Sequence, residues 1–395
     1  MAKSSEYRRL DALVASGVLL HPLADVPSIV DLAQAIGVLN GVQPRATDGY
    51  STALAELIGR HEHYVLVVAD GVGMHLIERL GAEAFLRTHF ARELRTVFPS
   101  STAPALTSLA TATWPAEHAV TGWWTYLPDE NITATILPFT ERVGEQPLRQ
   151  ETAGSAYPVQ GQMARFSADV VAVQPSHIAG SVSSKYFSGG RGQLGYHNLA
   201  SAVSAIATRV SEASAPTFTY FYISDVDTEA HLSGPASDAT WASLLRVQSC
   251  LESLERELDG RARMIVTADH GQVAVETRVT LHRDDELMRL LRFPPSGEVR
   301  VAYFHVQPGV SGFEEAFRER AGADWLLLSA SDAFDARLFG RDAPSDETRR
   351  RIGDYVAIAP AGTVLFYEPP PDLVAMRGTH GGLTPDEMRI PLILV

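Results

Sequence analysis

Four apolar runs, each ending in small, polar or acidic residues, most constrain how this 395-residue chain can fold. Continuous apolar runs rich in β-branched residues are typical of strands buried on both faces of a parallel sheet. Segments with helical periodicity separate them, which predicts an α/β fold with a mostly parallel central sheet and helices on both faces. The predicted strands are 64–69, 169–173, 218–223 and 264–267, and the predicted helices include 83–95, 199–213 and 241–258.

Two regions interrupt this alternation. Residues 123–165 are rich in Thr, Pro and Gly and predict a loop-rich excursion. Residues 283–360 contain two helical patterns and two strand patterns, which indicates a small inserted α+β subdomain. We therefore divide the chain into a core of residues 1–282 and 361–395 and an inserted subdomain of residues 283–360.

The charge balance excludes some partners. With 47 acidic and 33 basic residues the net charge is −14, which disfavours nucleic acid polymers and anionic membrane surfaces. No run reaches the roughly 18–20 apolar residues of a membrane span, and the first residues lack a signal-peptide cleavage pattern. We therefore expect a cytoplasmic protein. The single cysteine, Cys250, permits no internal disulfide, so any metal must be bound mainly by His and carboxylate groups.

Acidic and histidine side chains gather at the ends of the predicted strands and in one glycine-flanked turn. Open α/β sheets bind ligands beyond the carboxyl ends of their strands, so we expect these side chains to meet. Three Asp and three His are enough donors for two divalent ions with O/N ligation. The candidates are Asp70, Asp227, His231, Asp269, His270 and His380. The isolated histidines His118, His177 and His305 are interpreted as packed or surface residues.

A threonine lies at the start of a predicted helix in the segment Phe98-Pro-Ser-Ser-Thr102. Pro99 ends an apolar stretch, and Pro104 falls in the first helical turn, where its missing N–H costs nothing. Thr102 occupies the expected N-cap position, close to free backbone N–H groups and the positive end of the helix dipole. Capping alone would explain an isolated threonine there. Beside a two-metal centre, its hydroxyl becomes a candidate nucleophile.

Five motifs follow one another in a recognisable order: Asp70-Gly, Phe-Pro-Ser-Ser-Thr102, Asp225-Val-Asp227-x3-His231-x2-Gly-Pro, Ala-Asp269-His270-Gly and Gly-Thr-His380-Gly-Gly. Over about residues 60–395 this set resembles the type I nucleotide pyrophosphatase/phosphodiesterase branch of the alkaline phosphatase superfamily. The resemblance implies an alkaline phosphatase-like catalytic core and two bound divalent metal ions, which are Zn²⁺ by expectation, with Mn²⁺ as the alternative.

The resemblance also implies roles for individual residues. Thr102 would attack phosphorus and form a covalent phospho-threonine intermediate. One zinc would be held by Asp70, Thr102, Asp269 and His270, and the other by Asp227, His231 and His380.

Some positions depart from the family pattern. The family usually has Asn three residues after the nucleophile and often Lys before it, whereas this chain has Ala105 and Ser101. These changes leave the preference between monoesters and diesters open. For substrate contacts we single out four residues of the glycine-rich segment 183–197, although an ordinary solvated loop is an equal alternative. They are Lys185, Tyr186, Arg191 and His197.

The function predicted from the sequence is that of a metal-dependent phosphoric ester hydrolase, a phosphodiesterase or nucleotide pyrophosphatase acting on small phosphate esters. Two alternatives remain: a phosphomonoesterase or phosphonate hydrolase of the same superfamily, and a non-catalytic metal-binding regulatory protein. The expected partner is a small phosphate ester, with no nucleic acid polymer and no membrane. The sequence leaves the oligomeric state open.

Overall fold

The structure, a computed structural model, describes residues 3–23, 25–43 and 49–395. Its strands are β1 (His63–Ala69), β2 (Phe90–Arg95), β3 (Trp124–Leu127), β4 (Ile132–Thr135), β5 (Thr140–Glu141), β6 (Asp169–Pro175), β7 (Gly192–Tyr196), β8 (Thr217–Ile223), β9 (Arg263–Thr267), β10 (Val273–Ala274), β11 (Thr277–Leu281), β12 (Ser296–Gly297), β13 (Val301–Phe304), β14 (Leu326–Ser329), β15 (Tyr355–Ile358), β16 (Thr363–Tyr367), β17 (Gly378–Thr379) and β18 (Arg389–Leu394).

The α-helices follow the same chain order. They are α1 (Ser5–Ala15), α2 (Ile29–Leu39), α3 (Gly49–Ile58), α4 (Met74–Ile77), α5 (Phe85–Thr88), α6 (Thr102–Thr111), α7 (Pro115–His118), α8 (Ala153–Ala156), α9 (Val182–Phe187), α10 (Leu199–Ser211), α11 (Asp225–Ser233), α12 (Asp238–Leu258), α13 (Glu286–Arg289), α14 (Phe313–Ala321), α15 (Ala330–Asp335), α16 (Asp346–Ile352), α17 (Pro371–Ala375) and α18 (Pro385–Met388).

The central sheet has the strand order β2-β18-β9-β1-β8-β6-β7. Strands β9, β1, β8, β6 and β7 are parallel, and β18 runs antiparallel to both of its neighbours. The middle strand β1 and its neighbour β8 are buried along almost their whole length, which explains their continuous apolar sequences. All four strands predicted from the apolar runs lie in this sheet, and the mostly parallel α/β fold is confirmed.

Two groups of helices pack with the sheet. One contains α2, α3 and α6, and the other contains α10, α11 and α12. In α12 the buried side chains recur at helical spacing, as in Leu244, Val247, Leu251 and Leu254. Helix α2 begins with a capping box in which Ser28 and Asp31 satisfy each other's backbone N–H groups. A large hydrophobic core joins these helices to the strands.

The helix predicted over residues 83–95 is wrong in its second half. Only the short α5 forms there, and the chain continues as β2 at the edge of the sheet. Charged residues that suit a helix surface fill this segment, yet β2 pairs with β18, and Glu93 accepts a 2.9 Å hydrogen bond from Arg389. Tertiary pairing thus overrides the local preference.

A second sheet has the order β14-β15-β13-β12-β3-β4-β5. It joins strands from the predicted inserted subdomain with three strands from residues 124–141. The region predicted as a loop-rich excursion therefore contributes β3, β4 and β5 as well as loops. The subdomain boundary at residues 283–360 stays a prediction, because those residues share their sheet with an earlier part of the chain. Within the described residues, none of the helices has the length and apolar character needed to cross a bilayer.

Candidate metal centre

The predicted metal-binding side chains meet beyond the carboxyl ends of the central strands. Asp70 follows β1, residues 269 and 270 follow β9, and residues 227 and 231 lie on α11 directly after β8. Thr102 begins α6, and His380 follows β17. The parallel sheet brings these distant parts of the chain to one edge, as the sequence predicts.

Four of these residues form a buried subsite: Asp70, Thr102, Asp269 and His270. The His270 Nε2 atom lies 3.5 Å from Asp70 Oδ1 and 3.5 Å from Asp269 Oδ2. The Thr102 hydroxyl oxygen is 3.1 Å from the same nitrogen. Asp269 and His270 are 0% exposed and Asp70 is 2% exposed. Water therefore has almost no access to these carboxylates.

The other three residues form an open subsite: Asp227, His231 and His380. Asp227 Oδ1 lies 3.4 Å from His231 Nε2 and 3.8 Å from His380 Nε2. The side chains of Asp227 and His231 are 14% and 25% exposed. The His380 and His270 rings stack with centroids 3.7 Å apart, which joins the two subsites.

Buried oxygen atoms test whether these residues fit metal ions. Among the described residues, Asp70 Oδ1 and Asp269 Oδ2 are buried without any hydrogen-bond partner, an arrangement that is costly unless a cation completes it. Ligand atoms of Asp70, Asp269 and His270 lie within 4.8 Å of one another, as do those of Asp227, His270 and His380. Carboxylate and imidazole donors suit divalent ions such as Zn²⁺ and Mn²⁺. The residues therefore offer donor groups that fit divalent cations.

The pKa shifts of the carboxyl and imidazole groups also favour metal binding at this centre. Burial raises the pKa of the Asp70 carboxyl well above its ordinary value, and the nearby Asp227 and Asp269 carboxylates raise it further. Burial and the neighbouring His270 and His231 rings hold the pKa of His380 well below its ordinary value. His380 is therefore neutral, which is the form that binds a metal.

Hydrogen bonds orient each histidine. Their Nδ1 atoms face backbone carbonyl oxygens: His231 faces Gly378 at 2.8 Å, His270 faces Gly271 at 3.1 Å, and His380 faces Ser100 at 3.2 Å. A neutral ring that donates from Nδ1 leaves the Nε2 lone pair for a metal. All three Nε2 atoms point into the centre.

Two further side chains orient the carboxylates, and the sequence reasoning missed both. The Tyr222 hydroxyl donates to Asp70 Oδ2, and the Gln272 amide donates to Asp227 Oδ1. Tyr222 lies in β8 one residue before the strand ends, and Gln272 lies two residues after His270. Proximity to the motifs was the available signal, because neither residue belongs to a ligand pattern.

The beginning of α6 differs from the expectation by one residue. Ser101 is the N-cap and Thr102 is the first helical residue. The Ser101 hydroxyl makes no capping bond; it donates to Glu298, which also accepts the Trp123 N–H at 2.5 Å. No side-chain cap from Ser101 therefore occupies the first-turn N–H groups of α6, and such groups bind anions. Burial raises the pKa of Glu298 to about 7.

A cavity of about 460 Å³ opens beside Thr102 and is lined by both Asp70 and Asp227. Its walls come from α6, from the turn after β4 and from α9, and its size is within the range of small-molecule sites. A phosphate ester that entered this cavity would reach the Thr102 hydroxyl and both subsites.

The four predicted substrate contacts do not line this cavity. Lys185 is exposed, and the Tyr186 hydroxyl donates to the Val159 carbonyl oxygen at 2.5 Å. Arg191 donates to the Phe166 carbonyl oxygen at 2.9 Å. His197 lines a neighbouring cavity. Helix α9, which carries the first two of these residues, reaches the cavity beside Thr102 through Ser183, Ser184 and Phe187.

The α/β fold and the acidic-histidine centre together define a phosphoric ester hydrolase of the alkaline phosphatase superfamily. This class of enzyme needs metal ions, and the two subsites offer donors for them. Residues 64–383 match the model of the family described as type I phosphodiesterase/nucleotide pyrophosphatase, and the chain belongs to this family. The family and the enzyme class predicted from the sequence are thus confirmed.

Solved structures share the fold. Mouse ectonucleotide pyrophosphatase/phosphodiesterase 5 has a TM-score of 0.62 and 16% identity, covering 83% of this chain and 87% of its own. The human protein of the same name has a TM-score of 0.64 and 16% identity, covering 84% and 87%. An inactive threonine-to-alanine variant of the mouse protein was solved in complex with AMP. No curated protein sequence matches this chain.

Proposed function

We propose that this phosphodiesterase hydrolyses small phosphate esters through a covalent phospho-threonine intermediate on Thr102, beside two bound divalent cations, most readily Zn²⁺. One observation carries the proposal. The Thr102 hydroxyl lies 3.1 Å from His270 Nε2, at the first residue of a helix, where the buried subsite meets the cavity.

The chemistry divides between the cations and the chain. When bound, the cations stabilise negative charge on the phosphoryl group and lower the pKa of the threonine hydroxyl. The Thr102 oxygen attacks phosphorus, a new O–P bond forms, and the bond to the ester oxygen breaks while the hydroxyl proton passes to solvent. The first-turn N–H groups of α6 donate to a phosphoryl oxygen. Water then cleaves the phospho-threonine bond and restores the hydroxyl.

The likeness to the mouse protein supports a substrate of this size. That relative binds AMP, and a cavity of about 460 Å³ is large enough for a small ester. The donor set supports the choice of cation, because mixed carboxylate and imidazole ligation favours Zn²⁺, with Mn²⁺ as the alternative.

The test is turnover of bis(p-nitrophenyl) phosphate by three samples: zinc-loaded protein, chelator-treated protein and zinc-loaded Thr102→Ala. We expect chelation to abolish turnover and Thr102→Ala to lower kcat by a factor of about 10³ or more, since the nucleophile is lost. Thr107→Ala is the matched control: Thr107 is also buried in α6, but its hydroxyl donates to the Ala103 carbonyl oxygen at 2.7 Å.

A second measurement follows the intermediate itself. Acid quenching during turnover should leave a nitrophenyl phosphate adduct on the peptide that contains Thr102, detectable by mass spectrometry. Full activity of Thr102→Ala, or an adduct on another residue, would overturn the nucleophile assignment.

A further inference from the structure

A buried glutamate from the turn between β12 and β13 contacts the beginning of α6. We propose that Glu298 is a positioning residue: by accepting the Ser101 hydroxyl, it prevents this side chain from capping α6 and leaves the Ala103 N–H free for a phosphoryl oxygen. This inference rests on the proposed function, because it assigns a role in the same reaction to a side chain that does not line the cavity.

The backbone of Ser101 already has the conformation of a capping residue. Its φ and ψ are −139° and 153°, and its carbonyl oxygen accepts the Ala105 N–H at 3.0 Å. Serine is among the best capping residues, because its hydroxyl oxygen accepts an N–H of the second or third helical residue. In α6 that side-chain bond is missing. Rotation of one side chain would therefore be enough to cap this helix.

The first turn of α6 has few N–H groups to offer. The N–H groups of Thr102 and Ala103 make no hydrogen bond to any described residue. The third helical residue, Pro104, has no N–H at all. A cap from Ser101 could therefore take only the Ala103 N–H, which is also one of the two groups that the turn can offer to a phosphoryl oxygen. The cap and the substrate would compete for it.

Glu298 fixes the direction of the Ser101 side chain. Its Oε1 atom accepts both the Ser101 hydroxyl and the Trp123 N–H, and its Oε2 atom makes no hydrogen bond to a described residue. Ser101 is 0% exposed and Glu298 is 6% exposed, so water offers neither group a substitute partner. The hydroxyl therefore points away from the N–H groups of α6.

The second sheet brings Glu298 to this place. The Glu298 N–H donates to the Val301 carbonyl oxygen at 2.6 Å, which closes the turn between β12 and β13. Strand β12 pairs with β3 at Gly297 and Trp124. Gly122 lies so close to this pair that a Cβ there would be 2.6 Å from the Gly297 carbonyl oxygen. This close packing holds Glu298 against the beginning of α6.

Substitutions that keep the length of the side chain test this role. Glu298→Met removes the acceptor, and we expect kcat for bis(p-nitrophenyl) phosphate to fall at least about tenfold, because a donor to the phosphoryl oxygen is lost. KM should change less than about threefold, since this contact strengthens as charge grows on the oxygen in the transition state. Glu298→Gln keeps an oxygen acceptor and should retain kcat within about threefold of wild type.

A second substitution distinguishes competition from a loss of structure. In Glu298→Met the Trp123 N–H loses its acceptor whatever residue occupies position 101, so a merely structural role predicts that kcat stays low. We expect the Ser101→Ala/Glu298→Met double variant to regain most of the wild-type kcat, because alanine cannot cap the helix. Ser101→Ala alone is the matched control and should stay within about threefold of wild type.

The geometry can be checked without turnover. A crystal structure of Glu298→Met should show the Ser101 hydroxyl oxygen within about 3.2 Å of the Ala103 nitrogen. A crystal structure of Glu298→Gln should keep the Ser101 hydroxyl on residue 298.

The outcomes separate this inference from the proposed function. The inference would be overturned by an unchanged kcat in Glu298→Met, by a double variant as impaired as Glu298→Met, or by a Ser101→Ala variant that is equally impaired. In each case turnover by wild type would leave the proposed function intact. Absence of turnover by the zinc-loaded wild-type enzyme would contradict the proposed function instead, and the crystal structure of Glu298→Met would then decide the competition for the Ala103 N–H.

Discussion

The two subsites use similar donors but differ in their contact with water. In the buried subsite Asp70 and Asp269 are almost fully enclosed, and each has an oxygen atom without a hydrogen-bond partner among the described residues. In the open subsite Asp227 is 14% exposed, and the Gln272 amide donates to it. Hydrogen bonds reach the carboxylates of both subsites, but solvent reaches only the open one, and in the buried subsite one oxygen atom of each carboxylate is left for a cation to satisfy.

This difference separates two roles of a bound ion. A cation in the buried subsite would neutralise carboxylates that are costly to fold without it, so its binding contributes to stability. A cation in the open subsite would face the cavity, with less effect on folding. The two subsites should thus respond differently to chelation, to acid and to loss of their orienting side chains.

The largest predicted difference between the subsites is in the free energy of unfolding after a chelator has removed the metal ions. In metal-free protein at neutral pH, Asp70→Asn should raise the free energy of unfolding by about 3 kcal/mol. Burial and the nearby Asp227 and Asp269 hold the pKa of the Asp70 carboxyl well above its ordinary value, so keeping this group in the folded protein costs free energy at neutral pH. Asp227→Asn should change it by less than about 1 kcal/mol, because that carboxylate is hydrated. Chemical denaturation in the presence of chelator measures both values.

The metal-loaded proteins are the control for this experiment. With saturating zinc, both variants should be less stable than wild type, since each has lost a ligand. Equal effects of the two substitutions in metal-free protein would show that burial does not distinguish the subsites.

The residues that gather at the two subsites could be predicted to meet because their signals are local. Asp70 and Asp269 each follow a short, β-branched apolar run of the kind that is typical of a buried strand, and parallel strands end at one edge of a sheet. Glu298 carries no such signal. Its partner Ser101 lies 197 positions away in the sequence, and the contact exists only because the second sheet packs against the beginning of α6.

Contacts between distant parts of the chain also limit how much of the fold the sequence can predict. The apolar pattern predicts β1 and β8, because both faces of these strands are buried and most of their positions are apolar. Strand β2 lies at the sheet edge with charged residues on it, and strands β3 to β5 are short. Their sequences carry little periodicity, so pairing partners far along the chain decide their structure.

Acid should destabilise the packing around α6, the helix that begins at Thr102 in the buried subsite. His118 packs beneath α6, with its Nε2 2.9 Å from the Ser108 hydroxyl and its Nδ1 accepting the Val120 N–H at 3.1 Å. Burial lowers its pKa to about 3. In the unfolded chain this histidine binds a proton below about pH 6.5, whereas in the folded chain it does so only near pH 3. The free energy of unfolding therefore decreases as the pH is lowered through this window, by about 3 kcal/mol at pH 4.

His118→Gln removes this titration. The variant starts less stable at pH 7, because Ser108 loses its partner, but its unfolding free energy should fall less steeply than that of wild type between pH 6.5 and 4. Denaturant titrations across this range measure the slope. Ser108→Ala, which breaks the same hydrogen bond but keeps the imidazole, is the control and should keep the wild-type slope. An unchanged slope in His118→Gln would assign the acid sensitivity to other groups.

The smallest predicted effect is a loss of zinc affinity, which concerns each subsite separately. Gln272→Ala removes the donor to Asp227 in the open subsite, and Tyr222→Phe removes the donor to Asp70 in the buried subsite. Loss of a side chain that orients a ligand typically weakens metal binding by about tenfold or more. Competition against a chromogenic chelator should therefore show one of two zinc equivalents weakened in each variant.

The two substitutions should affect different zinc equivalents. Tyr222→Phe should weaken the more tightly bound equivalent, because a cation stabilises the buried carboxylates more than the open one. Weakening of the same equivalent in both variants would show that the stacked His270 and His380 rings couple the subsites into one site.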